Sequence, residues 1–197
     1  MNSPGYRQII VAIALLSGPA IGLAADLTQR QQEAAAAAQT LMQDLAGTLK
    51  QAIQRDGPAA AIKVCSEQAP AIAGELSRQK GWRVTRVGTR VRNPLLGMPD
   101  AWEQQVLADF QRRALEGESF SAMSHAEVVT EPDGDYFRYM QAIGTRPVCL
   151  TCHGPVEQIP APVHAILKQQ YPFDEATGYA PGDLRGAVSI KYPVSRM

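Results

Sequence analysis

Apolar residues recur at helical spacing through Leu41, Leu45, Leu49, Ala52 and Ile53, behind an alanine run from Ala34 to Ala38. The pattern predicts a long amphipathic helix over Thr28 to Arg55. Thr28 and Gln31 read as its capping box. Gly57-Pro58 ends this helix and opens another, because Gly suits the position past a helix end and Pro the first helical turn. Ile62, Cys65 and Ala69 then share one face. Pro70 begins a further helix with Ile72, Ala73 and Leu76, closed by Gly81. From Trp82 to Gly88 the residues alternate, with β-branched members that favour a strand. Thr89 to Pro99 holds Asn93-Pro94 and Gly97 and reads as a loop.

Asp100 and Glu103 have the spacing of a cap and its reciprocal partner. Trp102, Val106, Leu107, Phe110 and Ala114 continue as a helix to about Gly117. His125 to Glu131 and Tyr136 to Ile143 are strand-like, and Pro132-Asp133-Gly134-Asp135 between them is turn chemistry, so they form a hairpin. Pro162 to Tyr171 reads as a short helix, Pro172 to Asp183 as a long loop and Gly186 to Tyr192 as a last strand. Short hairpin-linked strands after leading helices predict an α+β domain with an antiparallel sheet.

The first residues do not belong to that domain. Arg7 supplies a positive start, Ile9 to Leu16 an apolar run, and Gly22-Leu23-Ala24 a small-x-small cleavage site, which together read as a signal peptide over residues 1–24. Residues 25–197 then form one exported domain, expected in the periplasm. Gly18-Pro19 interrupts the apolar run and leaves it short for a bilayer span. The 197 residues carry 19 basic and 19 acidic side chains, so there is no basic field for nucleic acid or anionic lipid.

Export changes the meaning of the three cysteines. Cys149-Leu150-Thr151-Cys152-His153 is the attachment signature of a c-type haem. Each thiol adds to one vinyl group, and His153 beside the ring ligates iron. One copy implies one haem. A zinc site would need a second ligand pair, and none exists in the sequence. A thioredoxin-like redox pair gives no reason for the trailing histidine. Cys65 is left as an unpaired thiol in an oxidising compartment.

The second axial ligand separates the possible functions, since an open iron site binds gas or peroxide while two protein ligands suit electron transfer or redox sensing. Candidates are Cys65, His125, His164, Met98, Met123 and Met140. His164 lies opposite the Val163, Ile166 and Leu167 stripe, and His125 alternates in step with Glu127 and Glu131, so both read as surface residues. Methionine is more often core filler than ligand. Arg90 and Arg92 can pair with haem propionates. Trp82, Trp102, Phe137 and Tyr139 are candidates to line the pocket. No distal acid or base stands out, which speaks against an enzyme.

Four segments in order, Ala61-Ile62-Lys63-Val64-Cys65 with Ala69-Pro70, Val91-Arg92-Asn93-Pro94 with Pro99 to Glu103, Cys149 to Gly154, and Gly182 to Ala187, resemble a family of exported single-haem c-type proteins with a PAS-like haem domain. The family was once catalogued as a domain of unknown function. The resemblance covers nearly all of the mature chain. It implies a PAS-like antiparallel sheet with a long N-terminal helix and flanking helices, and axial ligation of iron by His153 and Cys65. The sequence departs from the pattern at Leu95-Leu96-Gly97-Met98, where a shorter polar turn is expected. A thiolate donor favours ferric iron, so the resemblance points to redox or small-ligand sensing, with a plain periplasmic electron carrier as the alternative. Either role needs a redox or signalling partner. The long first helix is also a candidate homodimer surface.

Overall fold

The computed structural model describes residues 20–194, with side chains from Asp26 onward. The leader read over residues 1–24 lies outside the described residues except for its end, which forms the first turn of helix α1 (Ala20–Ala60). That helix runs through Thr28, so the capping box expected there is not a helix start. It is broken at Gly57, whose φ of 83° and ψ of 171° leave the helical region and let Pro58 begin a new segment. A π-helical turn (Val64–Gln68) carries Cys65 and leads into α2 (Ala69–Lys80), which ends on Gly81 in the left-handed conformation. Among the described residues no helix is long and apolar enough to cross a membrane.

Four strands follow: β1 (Arg83–Gly88), β2 (Ser124–Glu131), β3 (Gly134–Gly144) and β4 (Leu184–Pro193). They lie in the order β1-β4-β3-β2, every neighbour antiparallel. The expected α+β architecture, with an antiparallel sheet and a long N-terminal helix, is therefore what the chain adopts. Register decides which face each side chain meets. Val84 and Tyr139 both pair with Ile190. With Val188, Phe137 and Tyr192 these residues pack against Ala34, Ala37, Ala38 and Leu41 of α1 and Leu76 of α2. Leu41 of the α1 stripe is thus covered by the chain's own sheet, while Leu45, Leu49, Ala52 and Ile53 pack with Ala61, Val64 and Ala69 of the helical segment that follows.

The opposite face buries Val87, Met140 and Ala187 against Val106, Leu107 and Phe110 of a later helix (Ala101–Leu115). That helix begins with the predicted capping box, Asp100 accepting from the Glu103 amide and Glu103 from the Asp100 amide, both at 2.8 Å. The aromatic candidates for the pocket belong to these two cores. Trp82 stacks on Tyr192 with ring centroids 4.5 Å apart, Phe137 and Tyr139 face α1, and Trp102 lies under the Arg138 guanidinium.

The stretch expected to be only loop contains α3 (Pro94–Gly97), because the Asn93 side chain caps it, accepting from the Leu95 amide at 3.1 Å. The 101–115 helix is accordingly α4. After β3 the chain turns through a 3₁₀ turn (Pro147–Cys149) into α5 (Leu150–His153), and α6 (Ala161–Gln170) follows. β4 can close the sheet beside β1 only because position 186 is glycine. Its φ is 153°, and a Cβ there would stand 2.0 Å from the Val87 carbonyl oxygen.

Candidate functional site

Cys149, Cys152 and His153 fall on consecutive helical turns at i, i+3 and i+4, so the two thiols and the imidazole share one side of the backbone. Both cysteines are half-buried free thiols. Burial pushes the Cys152 thiol up, with Arg92 opposing, which keeps it protonated. The loop from 172 to 183 is laced to this turn by the Gly178 amide donating to the Gly154 carbonyl at 2.8 Å and the Tyr179 amide to the His153 carbonyl at 3.0 Å.

His153 is buried, and its Nδ1 lies 2.6 Å from the Ala176 carbonyl oxygen. A carbonyl only accepts, so Nδ1 carries the proton and Nε2 presents the lone pair. Burial, followed by the charges of Arg185, Arg92 and Arg86, holds the imidazole pKa well below its ordinary value, against the Ala176 hydrogen bond. A neutral imidazole whose Nδ1 proton is locked on a carbonyl keeps its lone pair on Nε2, which is the form that ligates a metal.

Arg92 is built into the same turn. Its Nε donates to Asp174 Oδ2 at 2.8 Å, its Nη2 to the Cys152 carbonyl at 2.5 Å, and its Nη1 lies 3.4 Å from His153 Nε2. Its charge already has a carboxylate partner in Asp174. Arg90 is exposed at the rim, donating to the Thr177 carbonyl and lying over the Tyr179 ring at 4.7 Å.

Cys65 arrives from the other end of the chain. Ile62, one turn earlier, packs with Ile159, Val163 and Leu167, and Cys152 lies against the same cluster. The Cys65 thiol is close enough that its charge acts on Cys152, Tyr171 and Arg86. The other ligand candidates are elsewhere. Met123 and Met140 are buried under α4, Met98 and His164 are exposed, and His125 sits beside Glu127 and Trp102. Among the described residues no three His, Cys, Asp or Glu side chains converge as a structural zinc site requires.

Two site residues escaped the sequence reading. Arg86 on β1 and Arg185 on β4 both act electrostatically on His153, and burial lowers the pKa of each. Arg185 lies over the Tyr179 ring at 5.5 Å, and its Nη1 is buried with no hydrogen-bond partner. The available signal was Arg86 in step with Val84 on the apolar face of a strand, and Arg185 inside the Gly182 to Ala187 segment.

A family model described as Tll0287-like matches residues 27–193. A solved structure described as the crystal structure of the cyanobacterial heme-protein Tll0287 superposes with a TM-score of 0.65, covering 86% of this chain and 98% of that chain. The two sequences are 24% identical, so this likeness concerns the fold. Comparison with curated proteins gives no match.

Proposed function

Since the chain belongs to the Tll0287-like family, we propose that it is a haem protein of the c type, exported to the periplasm by its leader, with one covalently held haem. The observation that carries this reading is the Cys149, Cys152 and His153 turn, where the Ala176 carbonyl fixes the His153 proton on Nδ1 and so leaves the lone pair on Nε2, which Arg92 Nη1 approaches to 3.4 Å. The donor set fits the group. Two free thiols add across two vinyl C=C bonds, sulfur to one carbon and its hydrogen to the other, with no oxidant required. His153 would hold the iron through Nε2, with the Ala176 carbonyl orienting the ring and raising its basicity. The solved relative of the same fold is described as a heme-protein, which supports the same cofactor here.

Cys65 would hold the iron together with His153 in this reading, supported by its electrostatic reach to Cys152 and by Ile62, one turn earlier, packing in the cluster that Cys152 lies against. Bound iron supplies one-electron redox chemistry. The rest is done by the chain: Ile62, Val163 and Leu167 exclude water from the thiol side, and Arg92 with Asp174 holds the Cys152 backbone. A thiolate would favour ferric iron and hold it less firmly after reduction. Cys65 stands on a π-helical turn, a backbone form that recurs at functional sites and is one register step from the α-helix on either side. Release of Cys65 on reduction would therefore move the junction of α1 and α2, which makes the protein a redox or small-ligand sensor that reports to a signalling partner.

The test is expression with a c-type maturation system, followed by denaturing electrophoresis with haem staining and a redox titration with and without carbon monoxide. One haem per chain that survives denaturation, is lost in Cys149→Ala/Cys152→Ala, and binds carbon monoxide only when ferrous is expected. A haem that is extracted by acid acetone contradicts the covalent reading. A ferrous spectrum unaltered by carbon monoxide assigns the chain to electron transfer instead.

A further inference from the structure

We propose that Arg86 and Arg185 receive the two haem propionates, an inference that rests on the haem reading of this site. The other buried or half-buried arginines of the described chain have carboxylates: Arg92 has Asp174, Arg113 has Glu118 and Asp109, Arg30 has Asp26, and Arg138 lies among Asp100, Glu103 and Glu131. Arg86 and Arg185 have none. A guanidinium removed from water without a counter-charge is destabilising, and two near one another are more so. These two are near one another, since each lies within electrostatic reach of His153 and the charge of Arg86 acts on Arg185. β1 and β4 are neighbours, with Arg86 opposite Val188 and Gly88 opposite Gly186, and the register slips just past Gly186, where Gly144 of β3 pairs with Leu184, so Arg185 is released from the face alternation of β4.

Two uncompensated cations facing one imidazole ask for a ligand with two negative charges. Haem carries them as its two propionates. The buried Nη1 of Arg185 supplies a donor lacking an acceptor, and carboxylates accept from guanidinium forks in bidentate geometry. Arg92 is the poorer anchor, because Asp174 and the Cys152 carbonyl already hold its fork. The competing use of Arg86 is to steady the Cys65 thiolate, which also lies within its reach.

The experiment uses the mature haem-loaded protein and its Arg86→Gln, Arg185→Gln, Arg86→Lys and Arg185→Lys variants. Each Gln variant is expected to lower the reduction potential, since a lost cation favours ferric iron. Each should also shift the propionate-bending band in the resonance Raman spectrum while leaving the ferric EPR signal of the axial ligands unchanged. The Lys variants should hold the potential near wild type and still shift the band, because charge is kept and the fork is lost. A band and potential equal to wild type in both Gln variants overturn the proposal. A changed EPR signal in Arg86→Gln with an unmoved band also overturns it, assigning Arg86 to the thiolate. If the Gln variants do not accumulate, the Lys variants decide on the band alone, and no shift in either refutes the assignment. Failure of the haem reading is separate, since it shows as wild-type protein without covalent haem.

Discussion

Asp174→Ala should cost far more than an ordinary loop substitution. The Asp174 and Arg92 side chains are 10% and 11% exposed, joined at 2.8 Å, and Asp174 Oδ1 also accepts from the Ala176 amide at 2.8 Å. Removing the carboxylate strands a buried guanidinium, which costs about 3–5 kcal/mol, and loses a second hydrogen bond of about 1 kcal/mol. The sum, roughly 4 kcal/mol or more, is a large part of a total stability of about 5–15 kcal/mol, and lowers Tm by about 8–16 °C for a domain of this size. The Ala176 carbonyl that orients His153 loses its anchor at the same time, so the loss of stability comes with a perturbed haem spectrum. Urea unfolding followed by circular dichroism measures the first effect. A cycle with Arg92→Met isolates the pair, and the double variant should be about 2 kcal/mol less unstable than the two single losses added together. An Asp174→Ala protein within about 0.5 kcal/mol of wild type, or strict additivity in the cycle, refutes the argument.

Gly186→Ala should destabilise by about 3 kcal/mol or prevent folding, because the new Cβ meets the Val87 carbonyl in a backbone conformation that disfavours any side chain; soluble yield and thermal melting check this. Phe110→Ala, in the α4 core, should cost about 3–5 kcal/mol in urea unfolding while the ferric spectrum of the folded fraction stays as in wild type. Leu95→Ser, at a side chain 94% exposed, should change stability by less than about 0.5 kcal/mol in the same assay.

Features encoded within a few residues were legible in the sequence. The Asp100 and Glu103 cap and the Gly81 helix end depend on neighbours in the chain and stand where the residues predict them, as does the hairpin, although its turn is only Pro132-Asp133 and β3 already begins at Gly134. Thr28 misled because a capping pair has the same spacing inside a helix as at its start, and α1 continues through it. The short helix at Pro94 was hidden by the proline and glycine that mark loops, although Asn93 before Pro94 is itself a helix-start pair. Long-range chemistry was the least legible. Arg92 and Asp174 are joined across 82 positions, and no local pattern announces their pairing. Arg86 and Arg185 come within reach of one another only once β1 lies beside β4, a strand order that the sequence alone left open. Cys149, Cys152 and His153 stood out as a group because a haem-attachment signature is a local spacing, and Cys65 stood out as the cysteine left outside it.

The central claim is the axial ligand pair, and the ferric EPR spectrum of the haem-loaded protein beside that of Cys65→Ser tests it most directly. A low-spin thiolate signal in wild type that is abolished in Cys65→Ser, with the covalent haem retained, is the result expected if His153 and Cys65 together hold the iron. Identical ferric spectra from the two proteins would contradict it.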